Sequence, residues 1–271
     1  EFKSGGTVVK NVTGFDLSKL MAGSFGTLAV MSEVTVKTLP APEKTRTILI
    51  SWKADGIYDH AAMSAMAQAL GSPHDVSAAA HLPAMAAKKS AVDYVSGANG
   101  AITALRLEGP EPSVKHRAAS LAEELKGFGA VEELHTKNSK TFWREVRDVQ
   151  VFVGRDDLPV VWRLSVPPMS GAHTAIELLE DLHGEVIYDW GGGLIWLGLS
   201  SVESDANDEF IRSTVAKVGG HATLVRAPSE LRSSVPVFQP LSAAEQLVTE
   251  KINEGFDPNG VLNPGRMYQG I

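Results

Sequence analysis

The sequence predicts an α+β protein built on a duplicated β-α-β-β-α-β unit with an antiparallel sheet. Three observations carry that prediction. The same order of strand and helix patterns occurs over 45–134 and again over 159–226. Glycine or proline stands at nearly every boundary between elements. The apolar period switches between two and 3.6 where strands give way to helices. The chain has 271 residues, enough for a sizeable core.

The elements follow in order. Thr7–Lys10 predicts a short strand. Asp16 is placed to cap a helix with Leu17, Leu20 and Met21 on its apolar face, and Gly23 ends it. Thr27–Lys37 predicts a strand, apolar throughout at Leu28–Met31 and then alternating. Leu39-Pro40-Ala41-Pro42 marks a domain boundary, so residues 1–40 form a first segment.

The first repeat reads as strand 45–52, helix 57–70 with Asp55 as cap, strands 76–81 and 101–107, a helix opened by Pro112, and strand 130–134. Residues 138–149 predict a connecting helix with Phe142, Val146 and Val149 on one side. The second repeat reads as strand 159–166, helix 172–182, strands 185–189 and 194–199, helix 205–218 and strand 221–226. Gly191-Gly192-Gly193 is a hairpin signal between its middle strands. Each repeat is a split β-α-β, ferredoxin-like unit. Two copies imply antiparallel sheets, separate or joined, with helices on one face, over a domain of 41–240. The remainder, 241–271, holds a capping box at Ser242–Glu245 with Leu247, Val248 and Ile252 as its apolar face. After it comes a turn-rich loop, 256–267, whose special residues predict a docked rather than a frayed end.

Composition narrows the function. The net charge of −7, from 32 acidic and 25 basic residues, argues against a nucleic-acid or anionic-membrane partner. No cysteine is present, so disulfides, thiolate metal sites and iron–sulfur ligation by this chain are excluded. The eight histidines show no metal-ligand spacing, and no metal site is expected. No stretch reaches membrane-spanning length, and no G-x-S-x-G elbow supports a hydrolase. The chain opens without Met and without an apolar signal segment, and reads as a piece of a longer protein.

Three places are candidates for chemistry. Gly23-Ser24-Phe25-Gly26-Thr27 offers backbone N–H groups and two hydroxyls suited to phosphate or ribose oxygens. Its plainer reading is a helix stop before a buried strand. His221, after a Gly-Gly helix stop, is a candidate catalytic base, with a structural role as the alternative. Trp190 in "DWGGGLIWL" either covers a ligand or packs the core as a hairpin tryptophan, the plainer of the two.

The stretch "KNVTGFDLSKLMAGSFGTLAVMSEVTVKTLP" and the tail "FDPNGVLNPGRMY" resemble the end motifs of FAD-linked oxidases with the vanillyl-alcohol-oxidase type of FAD domain. Between them, "FWREVRD", "VWRLSVPP", "DWGGGLIWL" and "GGHATLVRA" resemble the FAD-binding subunits of glycolate oxidases. The resemblance implies that 1–40 is the C-terminal remnant of an FAD-binding domain, 41–240 a cap or substrate domain, and 241–271 a helix and loop docking on the FAD domain. It implies FAD as cofactor, bound by Asn11, Thr13, Gly14, Gly23, Ser24, Gly26, Thr27, Val30 and Asn263, with Arg266 beside the reacting groups.

The implied activity is a flavin-dependent oxidation of a small 2-hydroxy acid such as glycolate to the 2-oxo acid. It implies a complex with a catalytic flavoprotein subunit and an iron–sulfur subunit, in the cytoplasm or peripheral at the inner membrane through that complex. The family's main pyrophosphate loop lies upstream of the matched residues, so the resemblance implies an N-terminally truncated, inactive piece that holds FAD weakly or not at all. The H-x-G-D-G-N-x-H motif of related hydroxyacid enzymes is missing. That leaves a non-catalytic accessory subunit, whose cap docks the catalytic one, as the alternative.

Overall fold

The computed structural model of the protein describes residues 2–53, 59–201, 203 and 205–271. They form two compact units, Glu1–Ala41 with Pro236–Ile271, and Pro42–Val235.

The first unit begins with little regular structure. Helix α1 is Leu17–Met21. Asp16 precedes it but does not cap it, because its carboxylate pairs with Lys19 Nζ at 2.6 Å. The strands predicted over 7–10 and 27–37 do not form. Alternation supplies a face but not a ladder partner. No described strand pairs with these segments, and Val30, Val34 and Val36 are exposed.

The second unit holds β1 (Lys44–Ser51), α2 (Asp59–Leu70), β2 (Val76–Leu82), the single-turn helices α3 (Ala84–Ala87) and α4 (Asp93–Ser96), β3 (Ile102–Gly109), α5 (Glu111–Leu125) and β4 (Ala130–Leu134). The predicted start of α2 at Ile57 and its cap Asp55 lie outside the described residues. The connector α6 is Thr136–Arg147, ended by Val149 in a left-handed conformation. Then come β5 (Val160–Ser165), α7 (Gly171–Asp181), β6 (Gly184–Asp189), β7 (Leu194–Leu199), α8 (Asp208–Lys217), β8 (His221–Arg226) and α9 (Ser229–Ser234).

The eight strands of the described residues join in one sheet of order β4-β1-β3-β2-β6-β7-β5-β8, and every pairing among them is antiparallel. The halves meet where β2 pairs with β6, through the single registered pair His81↔Tyr188. Period-two alternation sends neighbouring residues to opposite faces. Ile48, Leu105, Trp162 and Leu197 turn to one face, where α2 supplies Met63, α5 Leu121, α7 Leu178 and α8 Ile211. Leu49, Ile102, Val161 and Ile187 turn to the other.

The second face corrects the expectation of helices on one side only. Helix α6 packs there through Phe142, Trp143 and Val146. Its buried polar groups are matched across the sheet. Thr47 Oγ1 accepts from Trp143 Nε1 at 2.8 Å and shares a 2.6 Å hydrogen bond with Ser139 Oγ. Burial without those partners would cost about 1–3 kcal/mol per group.

The first unit resumes with α10 (Ala243–Phe256), opened by a complete Ser242–Glu245 capping box. Its predicted apolar face is not buried, since Leu247 and Val248 are exposed. Among the described residues no helix is long and apolar enough to cross a membrane.

Candidate functional site

The predicted cofactor residues all fall in the first unit, in the 11–14 and 23–27 turns, at Val30 and at Asn263 in the C-terminal loop. The 23–27 turn is held by its own side chains. Ser24 Oγ donates to Met21 O at 2.9 Å, and Thr27 Oγ1 donates to Ser24 O at 2.8 Å. Both hydroxyls therefore serve the turn and are buried, rather than pointing at a ligand. The open groups are on the backbone. Phe25 and Gly26 are both left-handed, with φ of 51° and 76°. Their N–H groups donate to no described residue. Consecutive free N–H groups in such a turn suit an anionic oxygen.

Asn11 Oδ1 accepts from Thr13 N at 3.1 Å and Thr13 Oγ1 at 2.9 Å, closing an Asx turn ahead of Gly14, which is also left-handed. A Cβ on Gly14 or Gly23 would meet nothing within 4 Å, so these glycines serve conformation and leave open space beside the backbone. Val30 is 82% exposed.

The C-terminal loop comes back to the 23–27 turn. Asn263 Nδ2 donates to Phe25 O at 3.1 Å, and Asn253 Nδ2 donates to Thr27 O at 3.2 Å. A Cβ on Gly26 would lie 2.8 Å from Asn263 Nδ2, so only glycine leaves that amide its place. The loop is braced by Asp257, whose Oδ2 accepts from Leu262 N at 2.6 Å. Phe25 meets Phe238 edge-on at 5.0 Å between ring centroids. Arg266 donates through its backbone N–H to Asn263 O and keeps its side chain exposed. Of the predicted residues, Gly26, Thr27 and Asn263 are thus brought into one cluster, with Ser24 bracing it from behind.

The second unit holds the rest. His221 is exposed at the start of β8, opposite Ser165. Trp190 overturns the core-packing reading: it is 60% exposed. Sequence reasoning missed a buried polar cluster at the β2–β6 seam, whose residues share no motif. Tyr188 Oη donates to Asp59 Oδ2. His81 is fully buried, with Nε2 3.5 Å from Asp59 Oδ1 and Nδ1 2.8 Å from Thr103 Oγ1. Trp52 Nε1 donates to the same hydroxyl at 2.8 Å. Burial pushes the Asp59 carboxyl up, but its contacts with His81 and Tyr188 outweigh this and leave it below the usual range. Burial, and then the Asp59 charge, hold the Tyr188 phenol well above its usual value. Among the described residues no group of three or more potential ligands is placed to hold a metal ion.

No family model matches the chain. It is 35% identical to glycolate oxidase subunit GlcE of Escherichia coli (strain K12), over 97% of its own length and 60% of that protein's. It is 25% identical to an uncharacterised FAD-linked oxidoreductase of Mycobacterium tuberculosis (strain CDC 1551 / Oshkosh), over 98% of this chain and 61% of the relative. Among solved structures, p-cresol methylhydroxylase matches with a TM-score of 0.54 at 12% identity, over 84% of this chain and 53% of that one. The last likeness concerns the fold alone. The chain spans about three-fifths of the length of the curated relatives it matches. The resemblance carried by the end motifs and the middle markers is therefore to a glycolate oxidase subunit and an FAD-linked oxidoreductase.

Proposed function

We propose that the chain belongs to the FAD-binding subunit of a glycolate oxidase-type complex, which oxidises a 2-hydroxy acid to the 2-oxo acid. The observation that carries it is the return of Asn263 to the 23–27 turn across 237 intervening positions, with Gly26 as the one residue that leaves its amide room. That junction joins the two stretches whose sequences resemble FAD-linked oxidases. In this reading 1–40 and 241–271 belong to the FAD domain. The 41–240 segment is the cap, a duplicated ferredoxin-like unit, and a catalytic flavoprotein subunit and an iron–sulfur subunit are the partners.

FAD supplies the acceptor for the two electrons removed from the substrate's C–H bond. The chain's own residues bind and orient. The N–H groups of Phe25 and Gly26 donate to anionic or ribose oxygens. Asn11 and Thr13 shape the turn ahead of Gly14, and Gly14, Gly23 and Val30 line its open side. The Asn263 amide, fixed by Phe25 O, keeps its oxygen free to accept. Arg266 offers a positive charge to a substrate carboxylate or to the reduced cofactor. His221 is the proposed acceptor of the substrate's hydroxyl proton.

The test is flavin content per complex, measured with wild-type protein and with Gly26→Val. Loss of this subunit's flavin equivalent in the variant supports the placement; undiminished flavin overturns it. The missing H-x-G-D-G-N-x-H motif favours a second reading, an accessory subunit whose cap docks the catalytic one. Glycolate-driven flavin reduction by the isolated subunit would rule that reading out.

A further inference from the structure

Over the second face of the sheet, beyond the end covered by α6, lies an open cleft of about 910 Å³ within the Pro42–Val235 unit. Its floor carries Arg163 and Trp196, which are register partners on β5 and β7, and Arg106 on β3. Helix α6 lines one wall with Lys140, Arg144 and Arg147. Five cationic side chains thus face two carboxylates, Glu108 and Asp189, in a chain whose net charge is −7. Arg106 is taken by Glu108 at 3.0 Å and Arg147 by Asp148 at 2.7 Å. Arg163 has no hydrogen bond or ion pair to any described residue. Its guanidinium carbon sits 5.0 Å from the Trp190 ring centroid. Stacking leaves the N–H fork of a half-buried guanidinium without acceptors, and those donors match a carboxylate two at a time.

Trp190 provides the independent observation. Its φ is +53°, a conformation that a bulky residue adopts only when its surroundings force it. The surroundings here do so. Asp189 Oδ1 accepts from Trp190 N at 2.7 Å. The next two residues are left-handed glycines: a Cβ on Gly191 would push against Leu70 Cδ1 at 2.6 Å, and one on Gly192 would lie 2.1 Å from Met63 Sδ and 2.7 Å from Pro168 O, which leaves no room for it. The turn is locked from beneath, yet the ring it carries is largely in solvent at the cleft edge. A strained backbone that holds out an exposed aromatic does nothing for the core. Beside its stacking on Arg163, the ring keeps most of its surface open to the cleft edge.

We propose that this cleft binds an aryl-bearing organic acid, its carboxylate paired with Arg163 and its ring laid against Trp190. The volume lies near the top of the ~300–1,000 Å³ range of small-molecule sites, which favours an acid with a body over a two-carbon one. The inference concerns the Pro42–Val235 unit and does not depend on the flavin reading.

Calorimetric titration of the full chain with mandelate, glycolate and inorganic phosphate tests it. Mandelate is expected to bind saturably and about tenfold tighter than either small anion, the ratio that ~1.4 kcal/mol of ring contact gives. Trp190→Gly should lose that preference while its melting temperature holds or rises, because glycine accepts the left-handed φ. Arg163→Met should abolish mandelate binding in a protein with an unchanged far-UV spectrum, and Arg163→Lys should restore only part of it. Mandelate binding no tighter than phosphate overturns the proposal. So does mandelate affinity unaffected by Trp190→Gly, or by Arg163→Met should the first variant fail to fold.

Discussion

Tyr188→Phe is the sharpest perturbation of the β2–β6 seam. The substitution keeps a fully buried ring and removes only the hydroxyl that donates to Asp59. A hydrogen bond to a charged group contributes about 1.5–3 kcal/mol, so a loss of ~2 kcal/mol at neutral pH is expected. The pH dependence separates this from a packing defect. The Tyr188 phenol is held well above its usual value, first by burial and then by the Asp59 charge. A raised group contributes stability that is fully present below its unfolded value and is lost as pH rises toward the folded one.

Wild-type protein should therefore lose about 1.4 kcal/mol per pH unit from this one group above about pH 10, and Tyr188→Phe should not. On the acid side Asp59 lies below its usual range, so its contribution is present above the unfolded value and lost as pH falls through the folded one. The gap between wild type and variant should narrow there. Urea unfolding followed by tryptophan fluorescence, at intervals from acid to alkaline pH, measures all three. Parallel curves above pH 10, or a neutral-pH difference under about 0.5 kcal/mol, would refute the reasoning.

Two further predictions concern local structure. Gly192→Ala must place a Cβ 2.1 Å from Met63 Sδ and 2.7 Å from Pro168 O at φ +99°, and should cost at least ~3 kcal/mol in urea unfolding. Ser242→Ala removes the hydroxyl that accepts from Glu245 N, and should cost about 1 kcal/mol of α10 stability, seen as faster amide exchange in its first turn.

The second unit was legible where local chemistry decides. Gly71, Gly127 and Gly219 follow helices that end within two residues of them, and Pro112 sits in the first turn of α5. The β6–β7 hairpin forms where the glycine run announces it. What failed was whatever depends on a distant partner. The alternation of residues 33–37 reads as a strand, but a strand needs a neighbour, and no described residue pairs with it. Trp190 reads as core because large aromatics usually are; its exposure comes from a turn locked by Met63, Leu70 and Pro168, all remote in sequence. Asp59, His81 and Tyr188 carry no shared motif; the β2–β6 pairing brings His81 beside Tyr188, and the start of α2 brings Asp59 to both. At the candidate site the glycines were legible as special backbone. That Ser24 and Thr27 would turn their hydroxyls inward to carbonyls of their own turn was not.

The seam has one more consequence. β2 and β6 are each the second strand in sequence within their own half of the sheet, and they pair antiparallel. Equivalent strands joined antiparallel are related by a local two-fold axis, the symmetry of an isologous dimer interface. Separating the halves between β4 and β5 would uncover one such edge on each, and an uncovered edge seeks a second copy of itself. The covalent link keeps the two edges permanently at each other's side, where separated halves would meet only at a rate set by their concentration.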